Sequence, residues 1–210
     1  TSPGLKGGMI YKITGRHLID FNAGYLRKAP TLRGSFANAR QNNDIVVGLV
    51  EEKVTSADIS YIFRHPIVKA RFTAFYAHFE DQTDIGFFFT QNALGNDETS
   101  AFVQEIVTGI NKRSVGIEIG IEAQVLPTFK LKGAASVGDN RYANNPKLYL
   151  AGDDFGTEGN DISSQGVRKV ALENYHVSGG PEKVAQLGFE YRDPLFWWFG
   201  LTVNYFSDAY

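Results

Sequence analysis

Residues 114–138, SVGIEIGIEAQVLPTFKLKGAASVG, decide the fold class of this chain. Apolar residues alternate with polar or small residues on both sides of Pro127, and this period of two predicts two strands joined by a turn at 126–128. Each strand has about ten residues, which suits a tilted strand that crosses a bilayer. The same pattern fits an amphipathic hairpin of a soluble β-sandwich. The first strand carries apolar residues at Val115, Ile117, Ile119, Ile121, Ala123 and Val125.

The amino-acid composition excludes several classes of protein. The 210 residues contain no cysteine, which excludes a disulfide scaffold and thiolate chemistry, and the formal net charge of −2 gives no reason to expect nucleic-acid binding. No apolar run reaches the roughly 18 residues of a membrane-spanning helix, so a helical membrane protein is excluded. Thr1 opens the chain without a signal peptide, and we expect a mature form or a piece of a longer protein.

The order of strands and connections favours a membrane barrel over a sandwich. Short turns alternate with long connections at 28–52, 80–113 and 139–182. Outer-membrane barrels have short periplasmic turns and long extracellular loops, whereas a sandwich has no reason to segregate its loops. Alternation predicts principal strands at 9–13, 17–25, 55–63, 68–79, 114–125, 129–137, 184–191 and 197–206.

The long connections contain further apolar runs. The run at 101–110 fits a helix capped by Thr99 or Ser100, but its β-branched and aromatic residues favour a strand. Shorter strand-like pieces lie at 147–151 and 167–177, and the run at 85–89 fits either a ligand-contacting loop or an extension of a strand pair. Aromatic residues gather at predicted strand ends, as in interfacial girdles: Tyr25, Phe63, Phe129, Tyr191, Phe196, Trp197 and Trp198.

Three segments of the chain resemble the C-terminal barrel of TonB-dependent outer-membrane receptors of the Bacteroidetes type. They are NAGYLRKAPTLRG at 22–34, GINKRSVGIEIGIEAQVLPTFKLKGAASVGD at 109–139 and HVSGGPEKVAQLGFEYRDPLFWWFGLTVNYFSDAY at 176–210. The resemblance implies an all-β fold, an antiparallel transmembrane β-barrel of about 22 strands closed around a plug domain. It also implies energy-dependent import of a scarce nutrient such as a siderophore, haem, a cofactor, a glycan or a peptide.

The chain departs from that family pattern, because it has no plug or TonB box and room for only about eight principal strands. We therefore expect residues 1–210 to be part of the barrel domain, with the plug and the terminal strands absent. The implied partners are outer-membrane lipid, the plug and remaining strands, TonB through the parent protein and a surface lipoprotein. Two alternatives stay open: a small eight-stranded outer-membrane barrel, and a soluble β-sheet binding module.

The residues offer little for catalysis, and we expect a non-enzyme without a cofactor. Glu118 and Glu122 lie about 13 Å apart along one strand, too far for a two-carboxylate hydrolase, and fit cross-strand ion pairs with Lys130 and Lys132 better. The histidines His17, His65, His78 and His176 show no metal-ligand spacing. The acidic stretch 153–161 lacks the spacing of a calcium loop, so we interpret it as a solvated loop.

Binding residues are therefore the remaining candidates. Loops on a rigid scaffold commonly contact ligands, and the residues that would do so here are Arg33, Arg40, Phe87, Phe88, Phe89, Tyr142 and Tyr175. The polar faces of the strands would line the lumen against the plug, through Asp20, Asn22, Asp58, Lys69, Arg71, Glu118, Glu122, Lys130, Lys132 and Glu190.

Overall fold

A computed structural model describes residues 2–38, 43–91, 100–152 and 166–210. Its architecture is all-β, as the alternation predicts, with one short helix α1 at Leu32–Ser35. In the described ranges, no helix is long and apolar enough to span a bilayer. The strands are β1 Gly4–Lys12, β2 His17–Lys28, β3 Glu52–Arg64, β4 Val68–Gln91, β5 Ser100–Leu126, β6 Phe129–Tyr142, β7 Lys147–Ala151, β8 Arg168–Lys169, β9 Pro181–Arg192 and β10 Trp198–Ala209.

The ten strands form one antiparallel sheet. Its main path follows the order β1-β2-β3-β4-β5-β6-β9-β10, while β7 pairs with β5 and β8 pairs with β7. Within the described ranges β1 and β10 each pair with a single strand, so both are edges and the sheet is not closed. The predicted all-β antiparallel class is confirmed, with ten strands in place of the eight principal strands expected.

Four tight turns lie together at one end of the sheet, at 13–16, 65–67, 127–128 and 193–197. Local side-chain hydrogen bonds support all four turns, as two of them illustrate. Thr14 Oγ1 accepts hydrogen bonds from the backbone N–H groups of Arg16 and His17, and Asp193 Oδ1 accepts one from Leu195. The residue after Leu195, Phe196, adopts a left-handed backbone with φ of 71° and is 99% exposed. The opposite end carries the long connections.

Strand register gives the sheet two chemically different faces. Directly opposed residues point to the same side, so Phe21, Ile59 and Ala74 share a face with Ile117, Val137 and the residues beyond them. This apolar face continues across all eight strands of the main path. It includes Met9, Phe21, Ile59, Phe72, Ile119, Leu131, Leu187 and Val203, all of them exposed. The other face carries most of the charged and small residues of these strands.

The second connection, predicted as a loop at 80–113, is mostly strand. β4 continues to Gln91 and β5 begins at Ser100, so the two form one long hairpin. The strand preferred for 101–110 is confirmed and the helix is wrong. Register shifts between Phe79 and Asp84, with Asp81 at φ of 60°, mark where this hairpin rises beyond its neighbours. Alternation alone could not show this continuity, because the shifts interrupt the period.

Above these register shifts the fold has a conventional core. We call this part the outer extension: residues 82–91 of β4 and residues 100–110 of β5, with β7 and residues 29–38 and 43–51 packed on them. Its buried cluster consists of Ala37, Val46, Ile106, Tyr149 and Ala151. The rest of the main-path sheet is called the wall. The predicted piece 147–151 is confirmed as β7, whereas the predicted piece 167–177 forms a strand only at Arg168–Lys169.

Candidate functional site

The polar face of the wall holds every residue predicted to face the lumen. Register places all ten on the side opposite the apolar face, because each is an odd number of positions from an apolar-face residue of its own strand. Whether this side faces a lumen stays a prediction. The residues are Asp20, Asn22, Asp58, Lys69, Arg71, Glu118, Glu122, Lys130, Lys132 and Glu190.

Asp20 and Arg71 belong to one polar network that crosses β2, β3 and β4. The Arg71 guanidinium lies 3.6 Å from Asp20 Oδ2 and donates to Ser60 Oγ at 3.0 Å. Asn22 donates to Asp58 Oδ1 at 3.1 Å. Ser60 is fully buried beneath these side chains. The network gives hydrogen-bond or ion-pair partners to polar side chains of three strands, and this holds these side chains in fixed positions on the polar face.

A second network crosses β4, β5, β6 and β9 nearer the tight turns. The predicted pair of Glu122 with Lys130 is confirmed at 3.3 Å, and Lys69 approaches the same carboxylate at 3.8 Å. Lys132 pairs instead with Glu190 at 2.9 Å, because β9 brings that carboxylate alongside β6. Glu118 lies opposite Thr73 and Ser136, so its predicted pairing with a lysine is wrong.

Small residues leave a cleft at the centre of the polar face. It has a volume of about 660 Å³, and Gly120, Ala134, Glu118, Gln186 and Asn204 contribute to its lining. A second cleft, of about 340 Å³, lies nearer the outer extension. It is lined by Gln82, Lys112, Ser114 and Asn140 among others. Both clefts can hold a hydrated polar molecule, but neither has a nucleophile paired with a base.

Gly116 occupies a crowded point on this face. A Cβ atom there would lie 2.6 Å from the Phe75 ring and 2.6 Å from the Val137 carbonyl oxygen, distances that real Cβ atoms do not reach. The Phe75 ring therefore covers the β5 backbone, and only glycine allows this approach.

The predicted ligand-contacting residues lie on several different elements. Arg33 is in α1, and Phe87, Phe88 and Phe89 are in β4, so these phenylalanines belong to a strand pair and not to a loop. Tyr142 ends β6, where the Lys112 Nζ lies 5.7 Å from the centre of its ring, and its backbone N–H donates to the carbonyl of the exposed Tyr175. Arg40 and the acidic stretch 153–161 lie outside the described residues, so those interpretations stay untested.

One group of titratable residues was missed by the sequence argument. Asp139, His176 and Glu182 each offer one potential ligand atom, and these atoms all lie within 4.8 Å of one another. His176 shows no ligand spacing in the sequence because its partners come from β6 and β9, and an isolated bridge between Arg141 and His176 brings the segment before β9 against β6. Sequence spacing cannot reveal a cluster assembled across three segments.

Tyr149 is a buried titratable residue of the outer extension. Its hydroxyl oxygen accepts a hydrogen bond from the Val47 N–H at 2.8 Å, which ties residues 43–51 to β7. Burial raises the pKa of the Tyr149 phenol, and the hydrogen bond opposes this only in part.

No protein-family model matches the sequence, and no curated protein is significantly similar to it. Among solved structures, the copper transporter OprC superposes over 88% of this chain at a TM-score of 0.46 and 13% sequence identity. This chain spans 30% of the length of that structure.

Proposed function

We propose that the wall is part of a transmembrane β-barrel in the outer membrane, and that its parent is a TonB-dependent receptor that imports a scarce nutrient. The observation that carries this proposal is the apolar face, which continues across eight strands and stays exposed. On this face Ile119 is 43% exposed, Val203 is 62% and Leu187 is 67%. Soluble proteins rarely expose contiguous apolar patches of more than a few hundred Å².

The dimensions of the apolar face match a bilayer. Along β5 it runs from Val115 to Val125, ten steps of about 3.3 Å, or roughly 33 Å along the strand. At the roughly 40° tilt of strands in membrane barrels this covers about 25 Å, the height of the lipid-facing band of such barrels. Antiparallel pairing satisfies the backbone along this length, as lipid requires.

The two rims of the apolar face support one orientation. At the tight-turn end the rim is aromatic, with Phe63 beside His17, Phe129 beside Phe189, and Tyr191 beside Trp197. At the other end it carries charged residues: Arg27, Lys53, His78, Arg113, Asp139, Arg141 and Lys183. Short turns of outer-membrane barrels face the periplasm, so this orientation puts the outer extension outside the cell.

The open sheet favours a large barrel over a small one. Eight strands suffice to close a small barrel whose interior is filled by side chains. Here β1 and β10 are both edges of the described sheet, and the polar face carries mixed ion pairs suited to a hydrated interior. Further strands would complete the wall around a plug, in keeping with the resemblance to receptors of the Bacteroidetes type. TonB and a surface lipoprotein belong to this proposal as partners, and no catalytic step is required.

Site-directed spin labelling tests the membrane proposal. The chain has no cysteine, so each introduced cysteine carries a unique label within it. We would label Leu187→Cys and Val203→Cys on the apolar face, with Gln186→Cys and Thr202→Cys as adjacent controls on the polar face, in the protein reconstituted in lipid vesicles. Power saturation would then compare collisions with oxygen, which dissolves in lipid, and with a water-soluble nickel chelate.

The expected result is an alternation of accessibility. Labels at 187 and 203 should be relaxed by oxygen, and labels at 186 and 202 by the nickel chelate. Nickel accessibility at all four positions, or a water-soluble protein that does not enter vesicles, would overturn the membrane proposal.

Uptake measurements test the import proposal separately. Cells with and without the gene would be given labelled ferrichrome, haemin, cyanocobalamin, maltoheptaose or a tripeptide. Import through this protein should require the gene, and a protonophore or loss of TonB should abolish it. Uptake that needs the gene but continues without TonB would contradict the TonB-dependent mechanism while leaving the barrel intact.

A further inference from the structure

The Asp139, His176 and Glu182 cluster lies where β6 extends past the beginning of β9. Asp139 is near the outer end of β6, Glu182 is the second residue of β9, and His176 precedes β9 and bridges to Arg141. The three residues thus come from three separate segments, yet their potential ligand atoms lie within 4.8 Å of one another.

Glu182 is a buried carboxylate held in place by neighbouring donors. It is 8% exposed, and its Oε1 accepts the backbone N–H of Asn140 at 2.7 Å. The same oxygen lies 3.0 Å from His176 Nδ1. Burial of a carboxylate is costly unless it is paired, so these contacts fix both its position and its direction.

The imidazole of His176 is fixed from its ring face. Tyr210 stacks on it with ring centroids 3.9 Å apart and planes 13° from parallel. The carbonyl of Tyr210 accepts the Gly179 N–H at 3.1 Å, and the Val177 N–H donates to the carbonyl of Asn140 at 2.9 Å. A ligand already held in its bound orientation loses little side-chain entropy on binding a cation.

Asp139 completes the cluster from the other side. Its Oδ1 accepts from Arg141 Nε at 2.6 Å, and its Oδ2 lies 3.9 Å from the Arg113 guanidinium. Arg141 is itself held by a bond to the carbonyl of Asn174 at 3.0 Å. The two guanidinium groups orient the carboxylate, and they also compete with a cation for it, which limits the affinity of the site.

We infer that Asp139, His176 and Glu182 form a binding site for a divalent transition-metal ion, for which Zn²⁺ is the probe. One imidazole nitrogen with two carboxylate oxygens is a donor set suited to Zn²⁺ and neighbouring transition metals. Ca²⁺ and Mg²⁺ prefer oxygen ligands alone. A bound ion would link β6 to the segment 176–182 at the outer ends of β9 and β10. This inference does not depend on the proposed import function.

Calorimetric titration of the purified protein with Zn²⁺ tests the site. We expect one Zn²⁺ per chain, with affinity reduced at least about tenfold in His176→Gln and in Asp139→Asn, since loss of even a supporting group beside a metal ligand costs about 10–100-fold. The matched control is His78→Gln, a histidine of β4 outside the cluster, which should bind as the unmodified chain does. Co²⁺ should give visible absorption bands that His176→Gln weakens.

Two results would overturn the inference. One is binding of Zn²⁺ that is equal in the unmodified chain and in both cluster variants. The other is absence of Zn²⁺ binding by the unmodified chain. Asp139→Asn preserves side-chain shape, so it keeps the test valid if His176→Gln disturbs the stack with Tyr210.

Discussion

Strand β5 passes through two regions in which isoleucine side chains have opposite environments, buried in one and exposed in the other. In the outer extension Ile106 is fully buried and Ile110 is 4% exposed, whereas in the wall Ile117 is 49% exposed and Ile119 is 43% exposed. Only seven positions, from Ile110 to Ile117, therefore separate a protein core from an uncovered apolar surface on one strand. The extension buries the isoleucines of β5 against its own chain, and the wall leaves those of β5 exposed to its surroundings.

This contrast separates two sources of stability. Ile106 contributes through close packing with Val46 and Tyr149, so its loss leaves a cavity. Ile119 has no comparable shell, and in our proposal lipid occupies that place. Substitutions that distinguish packing from lipid contact are therefore the most direct way to test the division between the two regions.

The largest effect is expected for Ile106→Ala. Truncating a fully buried isoleucine should cost about 2–5 kcal/mol, because the cavity cannot collapse completely. Ile119→Ala should cost about 0.5 kcal/mol, since alanine is also accepted by lipid. Urea unfolding from lipid vesicles measures both, with hydrogen exchange to locate the loosened region. Equal costs for the two variants would mean that Ile119 lies in a protein core and that the contrast is wrong.

A charge on the apolar face should have the next largest effect. Ile119→Arg near the middle of the band should destabilise the reconstituted protein by about 2–4 kcal/mol, the cost of arginine at the bilayer midplane of a barrel. Gln186→Arg on the polar face is the matched control and should change stability little. The same unfolding titration measures both. If the control were the more damaging of the two, the assignment of faces would be reversed.

The smallest effect is expected for Tyr149→Phe in the outer extension. The variant leaves the Val47 N–H without its acceptor, which should cost about 1 kcal/mol. Hydrogen exchange at the Val47 amide is the direct measurement, and exchange in the wall should not change. Unaltered exchange at Val47 would show that this bond does not hold residues 43–51 on β7.

The Tyr149 phenol also makes the stability of the outer extension depend on pH, with a sign that follows from its raised pKa. Burial raises the pKa of Tyr149 above its ordinary value of about 10, so the folded state favours the protonated form. The associated stability is present below pH 10 and is lost as the pH rises through the raised pKa. Comparison of the unmodified chain with Tyr149→Phe across this range isolates the contribution.

The alternation of apolar and polar residues predicts the strands of the wall well, because one face of each strand is apolar and the period of two is visible in the sequence. The hairpin at 114–138 and the strands around it follow from that period. The outer extension is harder to predict, since β5 has buried residues on both faces there and register shifts near Asp81 interrupt the pattern. Ala37 and Val46 join a core whose other members lie on β5 and β7, far along the sequence, and no local pattern indicates such packing.

The candidate sites also differ in how much of them the sequence predicts. Membership of the polar face follows from alternation, so Arg71 and Glu122 could be placed on it from the sequence. Their partners depend on which strands are neighbours. Lys132 pairs with Glu190 because residues 129–137 of β6 pair with β9, and not with β7, the next strand in the sequence. The cluster around His176 depends on the path of a long connection, which spacing does not specify.

The register shifts near Asp81 mark a boundary between parts of the chain that can tolerate different amounts of sequence variation. Below them each wall strand except the edges β1 and β10 has a neighbour on both sides, and above them, among the described residues, β4 and β5 are the wall strands that continue. Changes above the shifts therefore leave the strand pairs of the wall intact, so the sequence of the outer extension can vary more freely than that of the wall.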